Sequence, residues 1–463
     1  MTSSHGDHRC CELFGRTSGS VLLLLIALSA GAAWGQVTAS IAGKVEDPSG
    51  ASVPGATVTV KNTETGSART VSTDGTGNYR VLSLAVGGYE VKTEKPGFKT
   101  VVQTGIHLAV GQEALVNMKL EVGEVVQEVT VSAETPLVNT TTAPVSGLVG
   151  ERQVKDLPLN GRSFDNLITL NPGTVNYSAM KTGGTNGTGA GNYFSVAGRR
   201  PLENLFLLNG IEYTGSSSIG ITPGGVSGQL LGIDAVREFN VVSDAYSAQY
   251  GKRAGGQISI VTQSGSNSFH GSAFEFLRNS KLDARNFFDQ GPIAPFKRNQ
   301  FGGSGGGPLR KDKLFVFGNY EGFRQRLGIS DLTLVPDENA RRGVLPTPVA
   351  NVNPAMLPFF SFWPLPNGRN LGAGIAESFS NPKQSIREDF GTLRADQTLS
   401  AKDTLSEAYT IDDGSNLTPQ VDPLFATVTN LRRRRALAAL AGGEVGRMRA
   451  SRLRIKCRTL DCI

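Results

Sequence analysis

The sequence predicts a mainly β chain in three parts: an immunoglobulin-like β-sandwich, an α+β domain, and the first strands of an incomplete antiparallel β-barrel. Three observations predict it. Glycine supplies 57 of 463 residues and charged residues only 19%, a composition suited to short strands and turns rather than helix bundles. Apolar and polar residues alternate with period two in the amino-terminal third and again beyond residue 266. Between these stretches lie short helical segments, each halted by a proline.

The first 35 residues read as a cleaved secretory signal. Arg9 and Arg16 precede the apolar run Val21–Leu28, and Ala33-Trp34-Gly35 places small residues before Gln36. The run is well short of the ~20 residues that a spanning helix needs. Cys10 and Cys11 lie in this segment, Cys457 and Cys462 at the far end, and His5, His8, His107 and His270 are scattered. Neither a disulfide framework nor a metal site can be built from them, and no cofactor is expected.

Residues 36–122 read as the sandwich. Val37, Ala39, Ile41, Gly43 and Val45 alternate with Thr38, Ser40, Ala42 and Lys44, and Asp47-Pro48-Ser49-Gly50 supplies a turn. Further strands are expected at Ala56–Lys61, Asn78–Leu82, Tyr89–Glu94 and Ala114–Leu120, a spacing typical of a sandwich.

Residues 123–265 open with Glu124–Ala133, in which valines alternate with polar residues. This segment is either the last sandwich strand running into a linker or an extended piece whose unpaired edge can add to a partner's sheet. Glu151–Leu157 can form a helix ending before Pro158, and Phe164–Leu170 a second one stopped by Asn171-Pro172-Gly173. Strands are expected at Phe194–Ala197, Leu205–Leu208, Glu238–Val242 and Gln257–Thr262. The glycine runs at 183–191 and 302–307 lack the Gly-Lys-Ser/Thr ending of a nucleotide loop. A mobile loop and a closely approached barrel strand explain them better.

Residues 266–430 read as barrel strands at Phe269–Leu277, Gln300–Leu309, Leu314–Phe323 and around Leu393–Leu399 and Leu405–Asp412. Tight turns at Arg310–Lys313 and Ala401–Asp403 contrast with a long Pro-, Asn- and Gly-rich loop from Arg324 to about Ile386. Short turns on one side and long loops on the other are the asymmetry of outer-membrane barrels.

Charge and chemistry exclude two classes. The net charge of +6 comes from residues 431–463, which carry nine Arg and one Lys against Glu444 and Asp461, so the first 430 residues stand at −2. A nucleic-acid binder would spread its cations over a folded face, so no nucleic-acid partner is expected. The carboxylate pairs Glu388-Asp389 and Asp412-Asp413 read as ordinary surface charges on loops or strand ends. With no triad or nucleophile elbow in view, no enzyme is expected.

Motifs sharpen the picture. GKVEDPSGASVPGATVTV, TDGTGNYR and KPGF resemble the carboxypeptidase-regulatory-like domain, grouped with carbohydrate-binding-like folds and without a catalytic apparatus. DLPLNGRSFDNLITLNPG resembles a plug domain, and AYSAQYGKRAGGQISIVTQSGSNSFHGSAFEFLRNSKLDARNFF the junction of plug and barrel in TonB-dependent outer-membrane receptors of the Oar-like kind. Leu207-Leu208-Asn209-Gly210 has Asn where that family more often has Asp. The resemblance implies a receptor in the cell outer membrane that takes part in substrate uptake, with outer-membrane lipid around it. Its partners would be the TonB energy-transducing protein and an unidentified extracellular substrate, a carbohydrate or a peptide. It also implies that Gln127, Glu128, Val129, Thr130 and Val131 form the TonB box. The alternative is a cell-surface carbohydrate-binding or adhesion module.

Two features break the pattern. About five strands are foreseen, where single-chain barrels begin at eight. Residues 431–463 lose the alternation and gain Arg and Cys, so they are either a genuine basic helix or the product of an out-of-frame reading. The second is favoured because the preceding strands demand continuation, and the chain then reads as an amino-terminal fragment that cannot transport alone.

Overall fold

The computed structural model describes residues 39–123, 128–132, 145–178, 191–213, 223–244, 251–285, 293–329, 331–344, 353–380, 382–400, 403–419 and 428–443. The signal segment, Gln127, most of the 183–191 glycine run and everything after Gly443 lie outside these.

The sandwich contains β1 (Ala39–Glu46), β2 (Thr57–Asn62), β3 (Ala68–Ser72), β4 (Asn78–Leu84), β5 (Gly87–Glu94), β6 (Thr100–Leu108), β7 (Glu113–Leu115), β8 (Met118–Lys119) and β9 (Glu128–Ser132). One sheet runs β4-β1-β7 with β8 also on β1, and the other runs β3-β2-β5-β6-β9. Strict alternation in β1 buries Ala39, Ile41 and Val45 against Val58, Val60, Val91 and Leu108 of the facing sheet. Four of the five foreseen strands are present, the first described from Ala39 onward, while the expected Ala114–Leu120 strand is split into the short β7 and β8. β3 and β6 were not foreseen, because β6 carries Gly105 at φ +80° and pairs with β5 through a register shift, which breaks its alternation.

The central α+β domain contains β10 (Val145–Val149), α1 (Glu151–Asp156), β11 (Thr174–Asn176), β12 (Phe194–Val196), β13 (Leu205–Leu208), β14 (Ile211–Glu212), β15 (Val236–Asp244) and β16 (Gln257–Thr262). Its main sheet runs β10-β15-β16-β13-β14. The stretch Phe164–Leu170 forms as a 3-10 helix, burying Phe164, Leu167 and Ile168 under β15. Asn209 and Gly210 both take positive φ in the turn between β13 and β14. The Asn209 Oδ1 accepts the Thr262 amide at 3.0 Å, tying that turn to β16.

The third sheet contains β17 (His270–Asn279), β18 (Phe296–Arg310), β19 (Leu314–Gly328), β23 (Lys383–Thr398), β24 (Thr404–Pro419) and β25 (Val428–Gly443), in the order β17-β18-β19-β23-β24-β25. It is an open antiparallel sheet, the first strands of a barrel. The expected glycine strand is β18. There a Cβ on Gly302 would stand 2.2 Å from the Tyr320 carbonyl oxygen, so only glycine lets the backbones close.

The supposed long loop is largely ordered. β20 (Asp331–Pro336), β21 (Asn370–Gly372) and β22 (Ile375–Ser380) form a small sheet, with α2 at Glu338–Arg341. β20 and β22 keep the register of β19 and β23. Leu314 faces Gln397, Gly328 faces Lys383, Asp331 faces Ser380, and Pro336 faces Ile375. The Ile329 amide bridges the join by donating to the Pro382 carbonyl at 2.9 Å. The result is one two-stranded ribbon about twice as long as a membrane crossing requires.

The carboxyl-terminal boundary also needs correction. A break at Leu431 was expected, yet β25 runs through it, paired with β24 from Thr404↔Gly443 to Pro419↔Val428. The register sets Arg434 against Asp413, opposite charges in facing positions. The arginine run hid this strand because its apolar positions, such as the buried Leu437, come only after it.

Candidate functional site

The barrel sheet has two chemically distinct faces. Phe315, Phe317, Asn319, Glu321, Phe323 and Gln325 of β19 are buried, as are Ile386, Glu388, Phe390 and Thr392 of β23 and Thr410, Asp412, Asn416 and Thr418 of β24. The alternate positions Tyr320, Leu393, Tyr409 and Leu417 are exposed. The apolar-outside, polar-inside alternation expected around Leu393 is therefore present. The inner face packs on the central domain, where Val226, Leu231 and Ala235 meet Phe317, Phe323, Ile386 and Phe390.

Two fully buried carboxylates grip the backbone of the central domain. Glu321 accepts the Gly232 amide through Oε2 at 2.9 Å and the Gln300 side-chain amide through Oε1 at 2.6 Å. Gln300 also donates to the Gly161 carbonyl at 3.0 Å. Beside them Arg162 pairs with Asp234 at 2.6 Å, lies 3.7 Å from Glu321, and stacks 3.7 Å over the Phe274 ring. Glu388 accepts the Ser227 amide through Oε2 at 2.7 Å, and Asn416 donates to the Val226 carbonyl at 3.0 Å. These bonds satisfy buried polar groups on both sides, and losing either partner strands one of them. Glycine makes this approach possible: Gly232 sits at φ +85°, and a Cβ there would come 2.1 Å from the Phe390 ring.

Glu388-Asp389 and Asp412-Asp413 are thus not the surface pairs expected. Glu388 is 0% and Asp412 6% exposed, because each lies mid-strand on the inner face. Extending the β23 alternation back from Leu393 to Glu388 would have signalled this.

The sandwich docks on the other side of the central domain. Glu64 takes a two-point ion pair from Arg237, at 2.6 and 2.9 Å, and Glu238 accepts the Val110 amide at 2.5 Å. Burial pushes the Glu64 carboxyl up, but the hydrogen bonds and charge of Arg237 outweigh it and hold the group below the usual range. Burial dominates for Glu238 and raises it. A cavity of about 150 Å³ at the junction of all three parts is lined by Glu64, Arg69, Arg237, Arg394, Asp396 and Thr404 among others. Inside the central domain burial pushes Asp165 up to about 6, although Ser163 and Asn192 hydrogen-bond to it.

Of the five expected box residues, Glu128, Val129, Thr130 and Val131 lie in β9, while Gln127 is outside the described residues. β9 pairs parallel to β6, Thr100↔Glu128 through Thr104↔Ser132, and forms the end of its sheet.

Comparison with known proteins agrees with this arrangement. Residues 40–121 match the carboxypeptidase regulatory-like domain, and residues 261–442 match the outer membrane beta barrel domain, the latter match running through β25 almost to its end. The chain is 30% identical over 271 residues to the TonB-dependent transporter Oar of Myxococcus xanthus, an alignment covering 54% of this chain and 23% of that protein. Among solved structures, the outer membrane transporter YddB from Escherichia coli aligns at 13% identity and TM-score 0.43, over 65% of this chain and 37% of that one. The ferric enterobactin receptor PfeA aligns at 19% and 0.39, over 66% and 40%. The chain thus spans about a quarter of the length of its curated relative.

Proposed function

We propose that the chain is an Oar-like TonB-dependent receptor of the cell outer membrane and takes part in substrate uptake across that membrane. In this reading the barrel wall borders the path, and the central domain is the plug that obstructs it. The plug is released when the TonB protein pulls on Gln127–Val131. The observation that carries the reading is the mode of attachment. The plug is held to the wall through Glu321 and Glu388, which grip the amides of Gly232 and Ser227 without any covalent link, so a pull can undo the contact.

The position of β9 supports the TonB-box assignment. As the last strand of its sheet it has an outer edge unpaired among the described residues, the geometry that strand addition needs. Binding and gating are the chemistry here rather than catalysis. No observation favours the carbohydrate-binding alternative, because Tyr79 and Tyr89, aromatic side chains that could have offered a stacking platform, are buried in the sandwich.

The test is binding of the full chain to the purified carboxyl-terminal domain of a TonB protein. Saturable binding should weaken at least roughly tenfold in a Val129→Pro, Val131→Pro variant, since proline removes ladder donors. Binding unchanged by these substitutions would refute the box assignment.

A further inference from the structure

The outward face of the barrel sheet changes character partway up. Above the turn at Arg310–Leu314 it is mostly apolar or small through Val316, Leu393, Ala395 and Ile411, with Glu407 and Glu275 as charged exceptions. It then reaches the ring pair Phe301–Tyr320, with centroids 6.3 Å apart. The next positions are Arg324, Arg326, Lys297, Arg387, Lys383, Arg432 and Arg434, against only Asp389 and Asp413. Arg326 lies 12 residues beyond Leu314. At ~3.3 Å per residue and ~40° of tilt it stands about 30 Å up, just beyond the ~25 Å apolar band of such barrels.

The cations are not merely numerous; they are opposed. Lys297 faces Arg326 directly across β18 and β19, and Arg324 faces Arg387 directly across β19 and β23. Like charges in facing positions destabilise a sheet unless an anion lies between them. Asp389 does this for the second pair, bonding Arg324 at 2.6 Å and Arg387 at 2.8 Å. Nothing does it for the first. Lys297 and Arg326 are exposed, and no carboxylate pairs with either among the described residues.

We propose that this upper outward face, centred on Lys297 and Arg326, binds the phosphate of a phosphorylated lipid of the outer leaflet. The phosphate takes the place that Asp389 fills in the neighbouring pair. Arg guanidinium and Lys ammonium groups are the donors that phosphate recognition uses, and the face stands at head-group height. The site requires only the outer-membrane location and is independent of the uptake reading.

The test uses the full chain in detergent micelles, titrated with bis-phosphorylated lipid A and with its dephosphorylated form, the bound lipid being counted by native mass spectrometry. The phosphorylated lipid should bind at least roughly tenfold more tightly than the other. Lys297→Gln with Arg326→Gln should abolish that preference, Lys297→Arg with Arg326→Lys should keep it, and Lys311→Gln with Lys313→Gln at the opposite turn should not affect it. Equal binding of the two lipids by the unaltered chain would overturn the proposal whether or not any variant folds. So would a preference that survives in the glutamine variant, or inorganic phosphate binding as tightly as the lipid.

Discussion

Glu64 and Arg237, 173 residues apart in sequence, meet through two hydrogen bonds and fix the sandwich to β15 of the central domain. Arg237 is 7% exposed, so truncating Glu64 leaves a nearly buried cation alone. A double-mutant cycle of Glu64→Ala and Arg237→Ala should give a coupling of about 1–2 kcal/mol, after discounting for the partial exposure of Glu64. The readout is hydrogen exchange of the β15 amides. Because the folded-state carboxyl of Glu64 lies below its ordinary range, the stabilisation is complete at neutral pH. It disappears only as pH falls through that lowered value.

Gly232→Ala should be among the most damaging single methyl additions in the chain. The residue would take a left-handed backbone and press on Phe390. About 3 kcal/mol is expected from the two effects together. Phe390→Ala in the same chain should recover the steric part only. Thermal unfolding of the single and double variants checks this, and an unchanged transition for Gly232→Ala would contradict the close approach.

Asp165 should titrate near pH 6, read from its carboxyl carbon shift. Its ordinary value is 3.8, so between pH 4 and 6 the folded state holds a proton that the unfolded state has lost. Stability therefore falls as pH rises through that window, by an amount on the order of 3 kcal/mol, and levels off above it. Asp165→Asn should flatten this part of the pH profile.

The β25 register predicts a specific cross-link. Ala408 faces Ala439, at a separation that suits a disulfide. With the four natural cysteines changed to serine, Ala408→Cys with Ala439→Cys should oxidise readily, and Ala408→Cys with Ala441→Cys should not. The reverse result would place residues 431–443 in another register or outside the sheet.

What the sequence disclosed follows from what local pattern can encode. β1, β16 and the β18–β19 hairpin were legible because alternation or a tight turn announces them within a few residues. The central-domain helix from Glu151 was legible from Pro158. The reach of β19 to Gly328 was not, since Arg324 and Arg326 look like loop residues until the outward face is known to bear cations. The inner carboxylates were misread for the same reason: Glu388 is polar in sequence and becomes a buried grip only when Ser227, 161 residues away, arrives opposite it. The fate of Glu128–Val131 depended on pairing with β6, and pairing across 28 residues leaves no local trace.

The shared register of β19–β20 and β22–β23 makes the Pro336–Ile375 end and the Arg310–Leu314 turn two ends of one lever. Glu321, Phe323, Glu388 and Phe390, which contact the central domain, form two neighbouring facing pairs near its middle, Glu321 with Phe390 and Phe323 with Glu388. Near its foot, Asp312 is tied to Asn267 at the plug–barrel junction. Leu332 and Leu334 lie in the same register as these contacts, so a load applied there acts along the ladder that carries them. Under the proposed uptake function, a force at the Pro336–Ile375 end would reach the central domain through these contacts.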